Sequence, residues 1–146
     1  MQLSLNADGF AGTTRLFDQM QRRGRSLYPV MRDIADDFLD LEREQFRTEG
    51  LRAEAWKPLA TSTVRQRGQA HPILDDTGLL RDSLTVQGSR DQVRLLTANS
   101  ALLGTDVAHA GYHQTGTGTM PQRRPIDVLP SDVDRWTGFI ARYLVP

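Results

Sequence analysis

The chain has 146 residues, 38% hydrophobic and 25% charged, which suits one soluble domain with a real core and leaves too little apolar sequence for a second. Its 18 Lys and Arg balance 18 Asp and Glu, excluding an overall field that would pull it onto nucleic acid or an anionic membrane, and the absence of cysteine excludes disulfides, thiolate metal sites and a cysteine nucleophile. No apolar run approaches the roughly 18 residues of a membrane span and the first residues lack signal-peptide order, so a cytoplasmic site of synthesis is expected.

Taken in order, Met1 to Leu5 alternates Leu3 and Leu5 with polar neighbours, compatible with a short strand that ends in a turn at Asn6-Ala7-Asp8-Gly9. From Thr14, the spacing of Leu16, Phe17 and Met20 predicts a helix stopped at Gly24, with Arg22 and Arg23 on the negative end of its dipole. A long helix follows. Leu27, Val30, Met31, Ile34, Phe38, Leu41 and Gln45 recur at steps of three and four, while Asp33, Asp36, Asp37, Asp40, Glu42 and Arg43 read as a solvated face. It should end near Gly50 and serve as the support for a sheet. Thr61-Ser62-Thr63 opens a short helix through Arg67, and Asp76 or Thr77 can cap another that turns Leu79 and Leu80 inward. Three candidate strands come next, Leu84 to Gln87, Gln92 to Thr97 and Ala101 to about Tyr112, joined by short turns into an antiparallel meander. The last of them places Val107, His109, Gly111 and His113 on one face. Ser131 reads as the N-cap of a final helix whose stripe is Val133, Trp136, Ile140, Tyr143 and Leu144. The fold class expected is α+β: a long helix packed on a small antiparallel sheet, with a C-terminal helix and an extended arm, residues 1–146 forming one domain.

The arm, about residues 114–127, is rich in Gly, Thr and Pro and carries too little apolar sequence to hold itself down by burial. A run of this kind is usually functional or disordered. Its arginines and bracketing prolines suit a stiffened segment that meets a partner, so His113, Gln114, Gly116, Gly118, Pro121, Arg123, Arg124 and Pro125 are the candidate subunit-interface residues.

An ordered set of short motifs adds to this reading: Trp56-x-Pro58-Leu59, Thr63, Ile73-Leu74-x-x-Thr77-Gly78-x-Leu80-x-x-Ser83, Gly104-Thr105, Ala110-x-x-His113-Gln114-x-Gly116, Pro121 and Arg124-Pro125. The succession resembles the virion-morphogenesis (tail-completion) family of tailed phages, in particular members from Mu-like phages. The resemblance implies a structural virion protein of the neck, assembled in the host cytoplasm, that completes or terminates the tail and joins it to the head. It implies a ring of identical subunits, expected to be a hexamer, beside connector or stopper and tail-tube proteins. Weak contact with packaged DNA is implied as well, and no membrane.

Chemistry is weakly signalled. Asp106, His109 and His113 suggest a metal, yet a catalytic zinc needs three placed ligands and His71 lies in an unrelated loop. Gly116-Thr117-Gly118-Thr119 lacks the lysine and helix start of a phosphate loop, and no G-x-S-x-G occurs. The expectation is therefore no enzyme, no cofactor and no metal. The alternative reading is a nucleic-acid-binding module built on Arg22, Arg23 and Arg25 with the arm arginines.

Overall fold

Helix α2 (Tyr28–Arg47) is the element on which the others converge. The computed structural model describes residues 8–145, in the order α1 (Asp8–Gly24), α2, α3 (Thr61–Arg67), α4 (Leu79–Thr85), β1 (Gln92–Leu96), β2 (Ala101–Thr105), α5 (Ala110–Thr115) and α6 (Pro130–Leu144). The architecture is α+β, with six helices among the described residues around a two-stranded antiparallel sheet. The alternation at Leu3 and Leu5 lies outside the described residues. Asp8 and Gly9, expected in a turn, belong to α1, which starts six residues before Thr14.

The buried arc of α2 serves two clusters. Its first half sets Val30, Met31 and Ile34 against Leu96 and Ala101 of the hairpin and against Trp136, Phe139 and Ile140 of α6. Its far end sets Phe46 in a second cluster with Trp56, Ile73, Leu80, Leu84 and Val107. Burying each large apolar side chain there contributes about 1.5–3 kcal/mol before chain entropy is counted. Pro29 in the first turn lacks an N–H that would be orphaned in any case, and the Leu27 N–H donates to the Ala98 carbonyl at 2.7 Å, fixing the helix entrance beside the hairpin turn.

Two of the three expected strands change. Leu84 and Thr85 complete α4, because Leu80 and Leu84 then stand one turn apart with both buried, and the Thr85 hydroxyl donates to the Arg81 carbonyl at 2.8 Å. Leu79, one residue away, is exposed. The strand expected to run to Tyr112 stops at Thr105, whose Oγ1 accepts from the Val107 N–H at 3.1 Å and turns the chain. The residues beyond Val107 form α5 instead, so the sheet is a hairpin and not a meander. At the last helix, Ser131 is exposed and Leu129 holds the N-cap position. The Leu129 N–H donates to the Asp132 carboxylate at 2.9 Å, and Pro130 starts the helix.

One tight joint connects α2 to the rest. Gly50 sits at φ +90°, where a Cβ would stand 2.6 Å from Trp56 Cδ1. Trp56 in turn lies edge-on to Phe46, with ring centroids 5.3 Å apart. Gly50→Ala combines positive-φ strain with displacement of a buried indole. It is expected to lower unfolding free energy by roughly 2–4 kcal/mol, read as a lower urea midpoint at unchanged slope.

Candidate functional site

The loop from α5 to α6 is fastened to the protein at its base. Gln114 acts as a side-chain substitute for a strand partner: its Nε2 donates to the Ile126 carbonyl at 2.8 Å, and its Oε1 accepts the Ile126 N–H at 3.2 Å. Alongside, the Arg123 N–H donates to the His113 carbonyl at 3.0 Å and the Gln122 amide donates to the Gln114 carbonyl at 2.9 Å. Gly116 leaves α5 at φ +74°, and a Cβ there would come 2.9 Å from the Gln122 nitrogen, so the two sides of the loop approach too closely for any other residue.

The middle of the loop is pinned from beneath. Arg123 is 6% exposed, and its guanidinium donates to the carbonyls of Lys57 at 2.6 Å and Pro58 at 2.7 Å. Burial lowers its pKa from the ordinary arginine value. Pro125 is fully buried. The Arg124 carbonyl accepts two buried donors, Trp56 Nε1 at 2.9 Å and Gln45 Nε2 at 3.0 Å. The Arg124 side chain points the other way, half exposed and 3.7 Å from Asp127.

These contacts correct the expectation that residues 114–127 lack internal anchorage. Side chains and carbonyls of the chain itself hold them through hydrogen bonds, a route that does not depend on apolar content. The eight candidate interface residues are thereby sorted. Gln114, Gly116, Arg123 and Pro125 build the base of the loop, and His113 contributes its carbonyl there. Gly118 and the Arg124 side chain face outward, with Pro121 partly covered between them. The outward tip is closed on itself, for the Thr117 N–H donates to the Met120 carbonyl and the Met120 N–H to Thr117 Oγ1, at 2.8 and 3.0 Å.

Under this base lies a polar cluster that the sequence pattern did not single out. Glu42 is 1% exposed on the inner side of α2, not on the solvated face expected for it. Burial raises its carboxyl to about 8; Arg52 opposes that rise, while Asp127 and Asp132 add to it. Arg52 donates to Asp132 at 2.6 Å and to the Asp127 carbonyl at 3.3 Å, tying the turn after α2 to the start of α6. Burial pushes the Asp132 carboxyl up, but the Leu129 N–H and the Arg52 guanidinium more than offset it and hold the group below the usual aspartate range. Arg135 and Trp136 complete the seam by donating to Asp37 of α2 at 2.8 and 2.6 Å.

On the other side of α5 an open cleft of about 580 Å³ has Leu59, Leu74 and Leu80 in its wall and His109, His113 and Arg67 among its polar lining. The two imidazoles stand edge to face at 5.8 Å, brought together by one helical turn and not by a shared strand face. Burial, then His109, then Arg123 lower the His113 pKa, which favours its neutral form. Arg67 is already engaged by the carbonyls of Pro72 and Asp75, and Asp75 pairs with Arg81. No serine or lysine lines this cleft, and among the described residues no group of three or more His, Cys, Asp or Glu could hold a metal ion.

The basic cluster at the end of α1 also divides. Arg23 donates to the Tyr143 carbonyl at 2.7 Å and lies over the Tyr143 ring, joining α1 to α6, while Arg22 and Arg25 are exposed. No helix among the described residues is long and apolar enough to cross a membrane.

Residues 10–144 match the model of the phage virion morphogenesis family. The chain matches no curated protein and no solved structure.

Proposed function

The chain belongs to the phage virion morphogenesis family, and from that premise we propose that it is a non-enzymatic structural subunit of the phage neck. It completes or terminates the tail and joins it to the head as a ring of identical copies, six being the expected number. Its neighbours are connector or stopper proteins on one side and tail-tube proteins on the other, with packaged DNA passing close by.

The observation that carries this reading is the loop between α5 and α6. A segment of low apolar content is held rigid at its base by Gln114 and Arg123 while its tip, Thr117 to Thr119, is exposed. A preordered projection loses little further entropy when it docks, which favours contact with a neighbouring copy or ring. The outward Arg124 guanidinium adds a planar fork able to take a partner's carboxylate.

The test is Gly118→Glu with Arg124→Ala, two changes at exposed positions that leave the base untouched. The isolated protein should keep its unfolding free energy within about 0.5–1 kcal/mol of the parent. Particles assembled with it should accumulate as separate heads and tails. Normal yields of joined particles would overturn the proposal.

A further inference from the structure

We propose that the cleft beside α5 binds a carboxylate flanked by apolar side chains, supplied by an acidic segment of a partner chain. The starting observation is a buried charge without a counterion. A cation removed from water is normally paired with an acid, because an isolated buried charge is costly. Arg123 is 6% exposed, stands in the wall of the cleft and forms no ion pair with any described residue. The acids of the same wall are already answered, for Asp75 pairs with Arg81 and Asp76 lies 3.3 Å from Arg67. A guanidinium carries five N–H donors. The Lys57 carbonyl takes one from Nε and the Pro58 carbonyl one from Nη2, and among the described residues nothing accepts from Nη1.

His113 adds a second donor to this wall. Its Nδ1 is buried and meets no partner, so it takes no part in binding, but it decides the tautomer. An unbonded N–H there would cost more than an unused lone pair, which assigns the proton of the neutral ring to Nε2. The rest of the wall includes Leu59 and Leu74, both partly buried, and Leu79, which is exposed.

One surplus cation, one neutral donor and three leucines describe a site for a single negative charge between apolar groups. Phosphate brings more charge and would meet the exposed Asp76 at the same wall. At about 580 Å³ the cleft has room for a few residues. Because it is open, a chain can enter and leave it, whereas a free small acid is usually enclosed over most of its surface. The occupant argued for is therefore a peptide segment.

The inference goes beyond the neck reading and does not depend on it, since it is tested on the isolated subunit. The probe is acetyl-Leu-Asp-Leu-amide, followed through the ring resonances of the three histidines. It should shift His109 and His113, leave His71 in place, and raise the His113 titration midpoint by about half a pH unit or more, since a nearby anion favours the charged ring. The asparagine counterpart of the peptide should bind about five- to tenfold more weakly. Arg123 is left intact, because its removal would unseat the loop base. Gln66→Glu, at an exposed position of the wall, should instead weaken binding about threefold or more at an unchanged thermal midpoint. No shift at about 20 mM peptide, enough to fill a millimolar site, would overturn the proposal. So would equal binding of the asparagine peptide or equal binding by Gln66→Glu. Isovalerate binding as tightly as the peptide would make the cleft a site for a free acid, and tighter binding of inorganic phosphate would make it a phosphate site; either result overturns the peptide assignment.

Discussion

Glu42→Gln is expected to stabilise the protein, and the gain should grow with pH. In the folded chain Glu42 holds its proton up to about pH 8, against an ordinary value of 4.5. The unfolded chain binds fewer protons than the folded one across that window, so stability falls as pH rises through it. The slope is about 1.4 kcal/mol per pH unit, with an upper limit of roughly 5 kcal/mol over the whole range. Below the unfolded value both states are protonated and this cost vanishes. Glutamine keeps the shape and has no proton to lose. The urea midpoints of parent and variant should therefore nearly coincide near pH 4.5, separate steadily, and stop separating above pH 8, with the variant higher. Asp132, held below its usual range, destabilises at acid pH in the opposite direction, but it is present in both proteins and largely cancels in the difference. Parallel profiles from pH 5 to 8 would show that Glu42 is ionised in the fold.

The same residue shows what the sequence makes visible. Helix α2 was legible because Val30, Met31, Ile34 and Phe38 repeat at helical spacing, and Glu42 continues the series one turn beyond Phe38, ahead of Gln45 and Phe46. Helical arithmetic thus points Glu42 inward. Residue type points it outward, and the type is the poorer guide here because Arg52 and the α6 start lie opposite it. The short helices α3 and α4 were legible from their punctuation, and α6 from Trp136, Ile140 and Tyr143. Ala60 and Gly78 hold the N-cap positions of the two short helices without a side-chain cap bond, in place of the Asp76 or Thr77 expected for the second. The misplaced strands share a cause. Leu84 and the residues after Thr105 have an alternating pattern, but their partners are helix neighbours and side-chain hydroxyls, contacts of long sequence range or of one turn that a period-two reading does not contain. The loop base was hidden for a further reason. Besides the local bonds of Gln114, its holding groups Gln45, Trp56, Lys57 and Pro58 are at least 65 residues away in the chain, and Lys57 and Pro58 act through backbone carbonyls, which no residue pattern reports.

Arg123→Ala and Arg124→Ala, adjacent in sequence, are expected to differ in kind. The Arg123 guanidinium is buried and is the donor for the Lys57 and Pro58 carbonyls. Hydrogen bonds from a charged donor contribute roughly 1.5–3 kcal/mol each, and alanine would leave both acceptors unpaired beside a cavity. Offset by the cost of keeping that cation out of water, the net loss should be about 2–4 kcal/mol of unfolding free energy. Lysine would not restore it, for a single ammonium cannot reproduce the planar fork that spans the two carbonyls. Arg124, by contrast, contributes its carbonyl to the cluster while its side chain is half exposed with only a 3.7 Å ion pair, so its removal should shift stability by at most about 1 kcal/mol. The two variants should then separate in particle assembly. Lowering the temperature restores folded Arg123→Ala subunits and should recover joined particles. It should do nothing for Arg124→Ala if that side chain meets a neighbour. Equal stability losses in the two variants would mean that Arg123 does not hold the loop base as described. Recovery of both on cooling would remove Arg124 from the contact between subunits.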